Sequence, residues 1–278
     1  MSGYPKDSRT PKVSRARRDA LLHYIEDLQA HGRLVFTSDE SRKALDVSSN
    51  AFLKASLRLM QKNKIIRPAS GFYVIIPAEY RSRKSVPPEW YIDALMKFHG
   101  LPYYAALLSA AALHGSAHQA PQEFQVVTTK PLRPISVGVT RVRFFTKKDL
   151  AATPVQDVKV PTGYFRVSTP EATALDLIRY YSRAGYFNNI ATILAELGDH
   201  LDAEKLRLAA EFDGEVAHAQ RLGYLLDQFT DPAPSGHLYE WISERNPKFT
   251  ALRPGWRGPV MRRDERWRVL VNDEVEPD

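Results

Sequence analysis

Between Val13 and Ile76 the spacing of apolar residues changes from a helical period to a strand period, and few folds accommodate that order. Ala16, Ala20, Leu21, Tyr24, Ile25 and Leu28 recur three and four apart, which predicts a first helix over 13–30, ended by Gly32. After the short apolar run Leu34 to Phe36, Thr37 or Ser38 can cap a second helix reaching about Leu45, with Asp39 and Glu40 at its positive end. Val47, Ser48 and Ser49 make a short turn, and Asn50 leads into a third helix. Leu53, Leu57 and Met60 are expected on its inner face with Phe52 and Leu59 beside them, and Lys54, Arg58 and Gln61 on its outer face. The runs Lys64 to Arg67 and Phe72 to Ile76 then flank the turn-forming Pro68, Ala69, Ser70 and Gly71. Helix, helix, tight turn, helix and hairpin in that order describe a winged helix-turn-helix over 13–78.

Charge follows the same division. Residues 1–84 hold 17 Lys and Arg against 8 Asp and Glu, whereas the remainder holds 22 against 24. A basic first third joined to a near-neutral remainder points to a polyanion that meets only the first part, because cations gain affinity by releasing counterions from phosphates. Ser48, Ser49 and Asn50 at the start of the third helix are short hydrogen-bonding side chains for base edges, and Lys54 and Arg58 reach guanine or phosphate. Ser70 sits at the wing tip. Residues 1–12 are expected as a basic, unfolded tail, and Arg15, Arg17 and Arg18, together with Lys6, Arg9 and Lys12, are expected to track phosphates. Double-stranded operator DNA, most simply an inverted repeat, is the implied partner. One recognition helix reads only a few base pairs, so a monomer or weak dimer would have to bind cooperatively.

With 278 residues, 44% of them apolar, the chain can hold two cores. It has no cysteine, so disulfides, thiolate metal sites and a cysteine nucleophile are excluded. No stretch approaches the roughly 18 apolar residues of a membrane span, and the polar N-terminus lacks a signal-peptide core, so a cytoplasmic protein is expected.

Pro87 and Pro88 with Arg81, Arg83 and Lys84 mark a linker over 79–88, followed by a larger domain over 89–278. There the pattern predicts helices over 88–99, anchored by Trp90, Leu95 and Phe98, and over 103–114. Strands follow over 124–128, 141–146, 155–160 and 164–167. Thr169 and Pro170 open a further helix, with a Ser168–Glu171 capping box as the other register. Helical patterns continue over 189–197, 202–211 and 215–229, then a Pro- and Gly-rich stretch over 231–259 and a last strand over 266–271. Strands grouped before helices predict an α+β fold, a winged helix-turn-helix followed by a larger mixed α/β domain.

Two phrases of this second part resemble the AbiEi family of antitoxins. The first runs from Tyr103 and Tyr104 through Ser109 to His114 and Gly115, followed by the strand Phe124 to Thr128. The second is Thr169, Pro170, Glu171, Ala172, Thr173, Ala174, Leu175, Asp176 and Leu177. The resemblance implies a transcriptional autorepressor in a type IV toxin-antitoxin pair linked to abortive infection and phage defence. Its functional partner would be a nucleotidyltransferase toxin, counteracted without a stable complex. Within the phrases, Tyr103, Tyr104, Ser109, His114, Gly115, Thr169, Pro170, Glu171 and Asp176 carry a structural or antitoxin role. The stretch after about Asp231 has no counterpart in the resemblance.

The sequence offers little to an enzyme. His114 and His118 stand four apart, but Gly115 breaks the helix that would align them on a metal, and a structural hydrogen bond is expected of His114. Glu171 and Asp176, five apart, do not share a helix face. No phosphate-binding loop is present, and no cluster of carboxylates with a lysine can be assembled from spacing. Neither a cofactor nor catalysis is expected; a nuclease-like enzyme and an RNA-binding regulator are the competing readings. Tyr180, Tyr181, Tyr186 and Phe187 could stack on single-stranded RNA, although core packing around Gly185 is the simpler use.

Overall fold

The computed structural model describes residues 11–116, 121–231, 233–256 and 258–277, the first eight by backbone alone. The fold is mixed α+β, and the residues group into two compact units. One runs to Gly100 and takes in Ile135–Arg141 and Val160–Tyr164; the other holds the rest.

The first unit opens with α1 (Pro11–Ala30), β1 (Val35–Thr37), α2 (Ser38–Leu45) and α3 (Ser49–Gln61). The hairpin β2 (Ile65–Ala69) and β3 (Phe72–Ile75) follows, and the strands pair antiparallel in the order β1-β3-β2. The expected tail over 1–12 lies outside the described residues except for Pro11 and Lys12, which already belong to α1. Leu21, Ile25, Phe36, Phe52, Leu59, Ile65, Tyr73 and Ile75 form the core of this unit, with Phe36 stacked on Tyr73 at 5.3 Å.

The inner face of α3 differs from the expected one. Phe52, Ser56 and Leu59 are buried, whereas Leu53 and Leu57 are 43% and 45% exposed. Phe52 meets the Tyr73 ring edge-on at 5.4 Å, and the small Ser56 lets the helix backbone approach its neighbours, so this row of residues wins the core over the leucine row.

Beyond β3, 3-10 turns occupy Ala78–Arg83 and Pro88–Trp90, and α4 spans Ile92–His99. Leu95 is buried, but Phe98, expected as an anchor, is exposed at its edge and meets Phe72 at 5.4 Å. Within the segment expected as a linker, Ser85 Oγ accepts from Thr140 Oγ1 at 2.9 Å, and just beyond it the Trp90 carbonyl accepts from Thr162 Oγ1 at 2.8 Å.

The second unit begins with a correction. Tyr103–Ala105 is a strand, β4, and only Leu107–Leu113 is helical, as α5. The alanine-rich run reads as one helix, yet its first residues pair antiparallel with β5 (Phe124–Thr128), and Ala105 also pairs parallel with β9 (Gly163–Ser168), so they make a central, wholly buried strand. With β6 (Ile135–Val137), β7 (Thr140–Thr146) and β8 (Val155–Val160), the sheet order is β6-β7-β5-β4-β9-β8.

Helices α6 (Pro170–Arg179), α7 (Tyr186–Leu197), α8 (Ala203–Asp213) and α9 (Val216–Phe229) follow. The stretch expected to be irregular contains a further helix, α10 (Gly236–Arg245), which buries Leu238, Trp241 and Ile242. Strands β10 (Thr250–Ala251), β11 (Arg262–Asp264) and β12 (Val269–Val271) close a small sheet in the order β10-β12-β11. Trp267, fully buried, lies against Gly223 of α9 and donates from Nε1 to Asp227 Oδ2 at 2.7 Å.

Candidate nucleic-acid interface

The turn between α2 and α3 is fixed by local chemistry. Thr37 caps α2 by accepting from the Glu40 amide at 3.2 Å, and Glu40 itself accepts from Arg33 at 2.7 Å and Tyr24 at 3.3 Å. Asp46 ends α2 with a left-handed φ of 48°, and Ser48 caps α3 by accepting from the Ala51 amide at 3.3 Å. Three residues therefore separate the two helices. The Gly71 carbonyl accepts from the Ser38 amide at 2.9 Å, which ties the β2–β3 turn to the first residue of α2. Gly71 has φ 82°, a left-handed conformation that a side chain would strain.

Ser48, Ser49, Asn50, Leu53, Lys54, Leu57, Arg58 and Gln61 lie exposed on or next to α3, and Ser70 is exposed at the hairpin turn. No carboxylate pairs with Lys54 or Arg58 among the described residues, so both ammonium and guanidinium are available. Arg15, Arg17 and Arg18 fall in the first turns of α1, where only the backbone is described; Lys6 and Arg9 lie outside the described residues.

In the second unit, the two phrases singled out in the sequence meet across the sheet. The Ser109 hydroxyl accepts from the Gln125 amide at 2.9 Å, and Gln125 Oε1 in turn accepts from the Leu108 amide at 2.9 Å, satisfying the start of α5. The His114 ring contacts the Ser168 carbonyl through Nε2 at 2.8 Å, joining the end of α5 to the end of β9. Burial lowers the His114 pKa, so the ring is held neutral and Nε2 donates. Gly115, at φ 83°, terminates α5. Tyr103 Oη accepts from the Arg166 amide at 3.3 Å, and Tyr104 is wholly buried. Thr169 caps α6 by accepting from the Ala172 amide, with Pro170 in the first position. Glu171 is buried and accepts from the Asp202 amide at 3.2 Å, so the capping-box register is not used.

Sequence spacing missed one cluster. Lys147, just past β7, lies 3.4 Å from Asp176 and 3.2 Å from Asp213; Asp213 also holds Arg179 at 2.9 Å and His218 at 2.8 Å. A lysine with two carboxylates is thus present, contrary to the sequence reading, because it draws on β7, α6, α8 and α9, which no spacing rule connects. Burial raises Asp176 above the usual carboxylate range against the pull of Lys147. Burial would raise Asp213 as well, but His218, Lys147 and Arg179 hold it well below that range. Lys147, Asp176 and Asp213 have almost no exposed side-chain surface, so the arrangement is an internal ion-pair hub that closes three helices onto the sheet.

No three His, Cys, Asp or Glu side chains are grouped to hold a metal ion among the described residues, and His118 lies outside them. Among them, too, no helix is long and apolar enough to cross a membrane. Tyr181 and Phe187 stack at 5.0 Å within the core, whereas Tyr186 is half exposed.

The second unit is thus an α+β domain in which a helical layer is tied to the sheet by a closed ionic hub. Residues 104–228 match the family model described as the AbiEi antitoxin C-terminal domain, which supports an AbiEi family antitoxin. An antitoxin implies a toxin partner. No curated protein matches the chain. Among solved structures, the crystal structure of the RV2827C protein from Mycobacterium tuberculosis is similar in fold, with a TM-score of 0.63 at 16% identity over 95% of this chain and 92% of that one.

Proposed function

We propose that this protein is a DNA-binding autorepressor and the antitoxin of a type IV toxin-antitoxin pair, acting in the cytoplasm. The first unit serves as a winged helix-turn-helix, with α3 in the major groove of operator DNA and the β2–β3 turn, including Ser70, against the backbone. Ser48, Ser49 and Asn50 meet bases or adjacent phosphates, Lys54 and Arg58 meet guanine or phosphate, and Arg15, Arg17 and Arg18 follow the phosphates. Leu53 and Leu57, which stand in the same exposed row, fit thymine methyl groups. The observation that carries the reading is the open face of α3, where Asn50, Lys54 and Arg58 stand exposed directly beyond a three-residue turn.

The operator is an inverted repeat bound cooperatively by a monomer or weak dimer. The second unit counteracts a nucleotidyltransferase toxin without a stable complex. The closed hub around Lys147 supports a non-catalytic role, because a substrate could not reach carboxylates with so little exposed surface.

An electrophoretic shift on the protein's own promoter DNA, against scrambled DNA at two salt concentrations, tests the repressor. Selective binding that survives the higher salt and is lost in Asn50→Ala with Lys54→Ala is the expected result. Binding without selectivity, or unchanged affinity in that variant, would falsify the assignment of α3 as the reader.

A further inference from the structure

The near-neutral charge of residues 85–278 conceals a local excess. Between Arg245 and Arg268 there are eight Lys and Arg against two acidic residues. This segment lies beyond the antitoxin family match, which ends at residue 228. Its aromatic residues are interleaved with the cations. The Arg253 guanidinium lies 5.4 Å from the centre of the Tyr186 ring and 4.7 Å from that of Trp256, forming a ladder of ring, cation and ring. The two rings are 50% and 52% exposed, so about half of each stays open to solvent.

The ladder is held in place from below. Asn272, buried, accepts from the Arg253 amide through Oδ1 at 2.9 Å and donates from Nδ2 to the Arg253 carbonyl at 3.1 Å and the Trp256 carbonyl at 3.4 Å. Tyr181 donates to the Pro254 carbonyl at 3.2 Å, anchoring the same loop to the helical layer. Asp273 lies 3.4 Å from Arg253 and fixes one edge of its guanidinium. Tyr186 has a φ of 64°, a conformation that bulky residues avoid. Its neighbours Tyr181 and Phe187 are packed inward, so the strained turn at Gly185 and Tyr186 directs one ring out of an otherwise inward-facing aromatic group. In the same C-terminal segment, Arg263 of β11 lies over Phe249, which is 36% exposed, at 5.8 Å, and neither Arg263 nor Lys248 has a carboxylate partner among the described residues.

We infer that the Tyr186–Arg253–Trp256 ladder, with Lys248 and Arg263, is a binding site for single-stranded nucleic acid, separate from the operator-binding face. Exposed rings in a cationic surround offer what a single strand needs: a face for stacking unpaired bases and charge for the phosphates between them. A duplex keeps its base faces covered and cannot use the rings. An acidic peptide would use the cations but would leave the rings idle.

Fluorescence anisotropy of the full-length protein with labelled oligouridine, oligothymidine and a duplex, each of roughly a dozen nucleotides per strand, tests the site. Both single strands are expected to bind, a preference for oligouridine marking RNA as the source and equal binding marking the shared chemistry. Trp256→Ala should weaken single-strand binding roughly 5- to 150-fold, the range for loss of one stacked base, while Trp256→Phe retains most of it. Lys248→Gln with Arg263→Gln should lower the salt slope by about 1.4, on the rule of about 0.7 per phosphate for single strands. Operator binding should be unchanged in all three. Thermal melting reports whether Trp256→Ala stays folded; if it does not, the Phe and double variants decide. Single-strand affinity unaltered by these substitutions, or reduced in step with duplex affinity, would overturn the site.

Discussion

The ring of Trp267 rests directly on the backbone of Gly223, so closely that a methyl group placed on that glycine would overlap the ring carbons Cζ3, Cε3 and Cη2. Alanine is ordinarily the better helix former by about 1 kcal/mol, so the glycine in the middle of α9 is explained by packing and not by local preference. Gly223→Ala should therefore destabilise the second unit by about 1–3 kcal/mol, the usual cost of overpacking, and lower its melting temperature. An unchanged or raised melting temperature in calorimetry would mean that the tryptophan can move aside at no cost.

The ion-pair hub gives a pH-dependent prediction. Asp213 is held below its ordinary value, so its contribution is fully present above the unfolded-state pKa of about 3.9 and is lost as pH falls from there toward the folded value. Asp213→Asn should cost about 3–5 kcal/mol at neutral pH, because Lys147 is left buried with only Asp176 as partner. The deficit should shrink only below about pH 4, as the Asp213 carboxylate of the unfolded wild-type chain takes up a proton that the folded protein does not. Urea midpoints of both proteins between neutral and acidic pH measure this, and a deficit that vanishes already near pH 6 would contradict it.

His114 works in the neighbouring range. Its pKa is lowered by burial, so the stability it provides is present above the unfolded value of about 6.5 and falls away as pH drops through the lower folded value. His114→Gln should flatten that part of the stability profile and leave operator affinity intact. A profile identical to wild type between pH 7 and 5, values set by the histidine range, would show that the ring is not held neutral.

The first turns of α1 provide a test of phosphate tracking. Arg17→Ala with Arg18→Ala should weaken binding to operator and scrambled DNA about equally, and reduce the salt slope by about 2 on the rule of about 0.9 per contact. Loss confined to the operator would give these arginines a base-reading role instead.

Caps and turns were the most legible features of the sequence. Thr37 and Thr169 each cap the helix that follows them, as expected, and Ser48, expected only as a turn residue, caps α3, because a short oxygen side chain facing the first turn meets the same unpaired amides in any fold. Features decided by long-range partners were harder to read. Tyr103–Ala105 pairs with β5 and β9, yet nothing local separates it from the alanine-rich helix that follows. The α3 core row was settled by Tyr73 of the hairpin. The α10 signal was present as Leu238, Trp241 and Ile242 at helical spacing, but it was masked by the flanking prolines and glycines. The Lys147 hub joins residues up to 71 positions apart, and the ladder at Arg253 gathers an aromatic residue from 67 positions upstream; no window of sequence contains either.

The contact between Gly223 and Trp267 also sets an order of events during synthesis. The helix α9 emerges from the ribosome well before the ring that fills its groove, so the nascent domain presents an unplugged apolar surface until β12 follows. A chain interrupted between the two would carry the whole matched family segment and still lack the ring that fills the groove of α9. Closure of this domain thereby waits on residues that are synthesised only after the whole matched segment is complete.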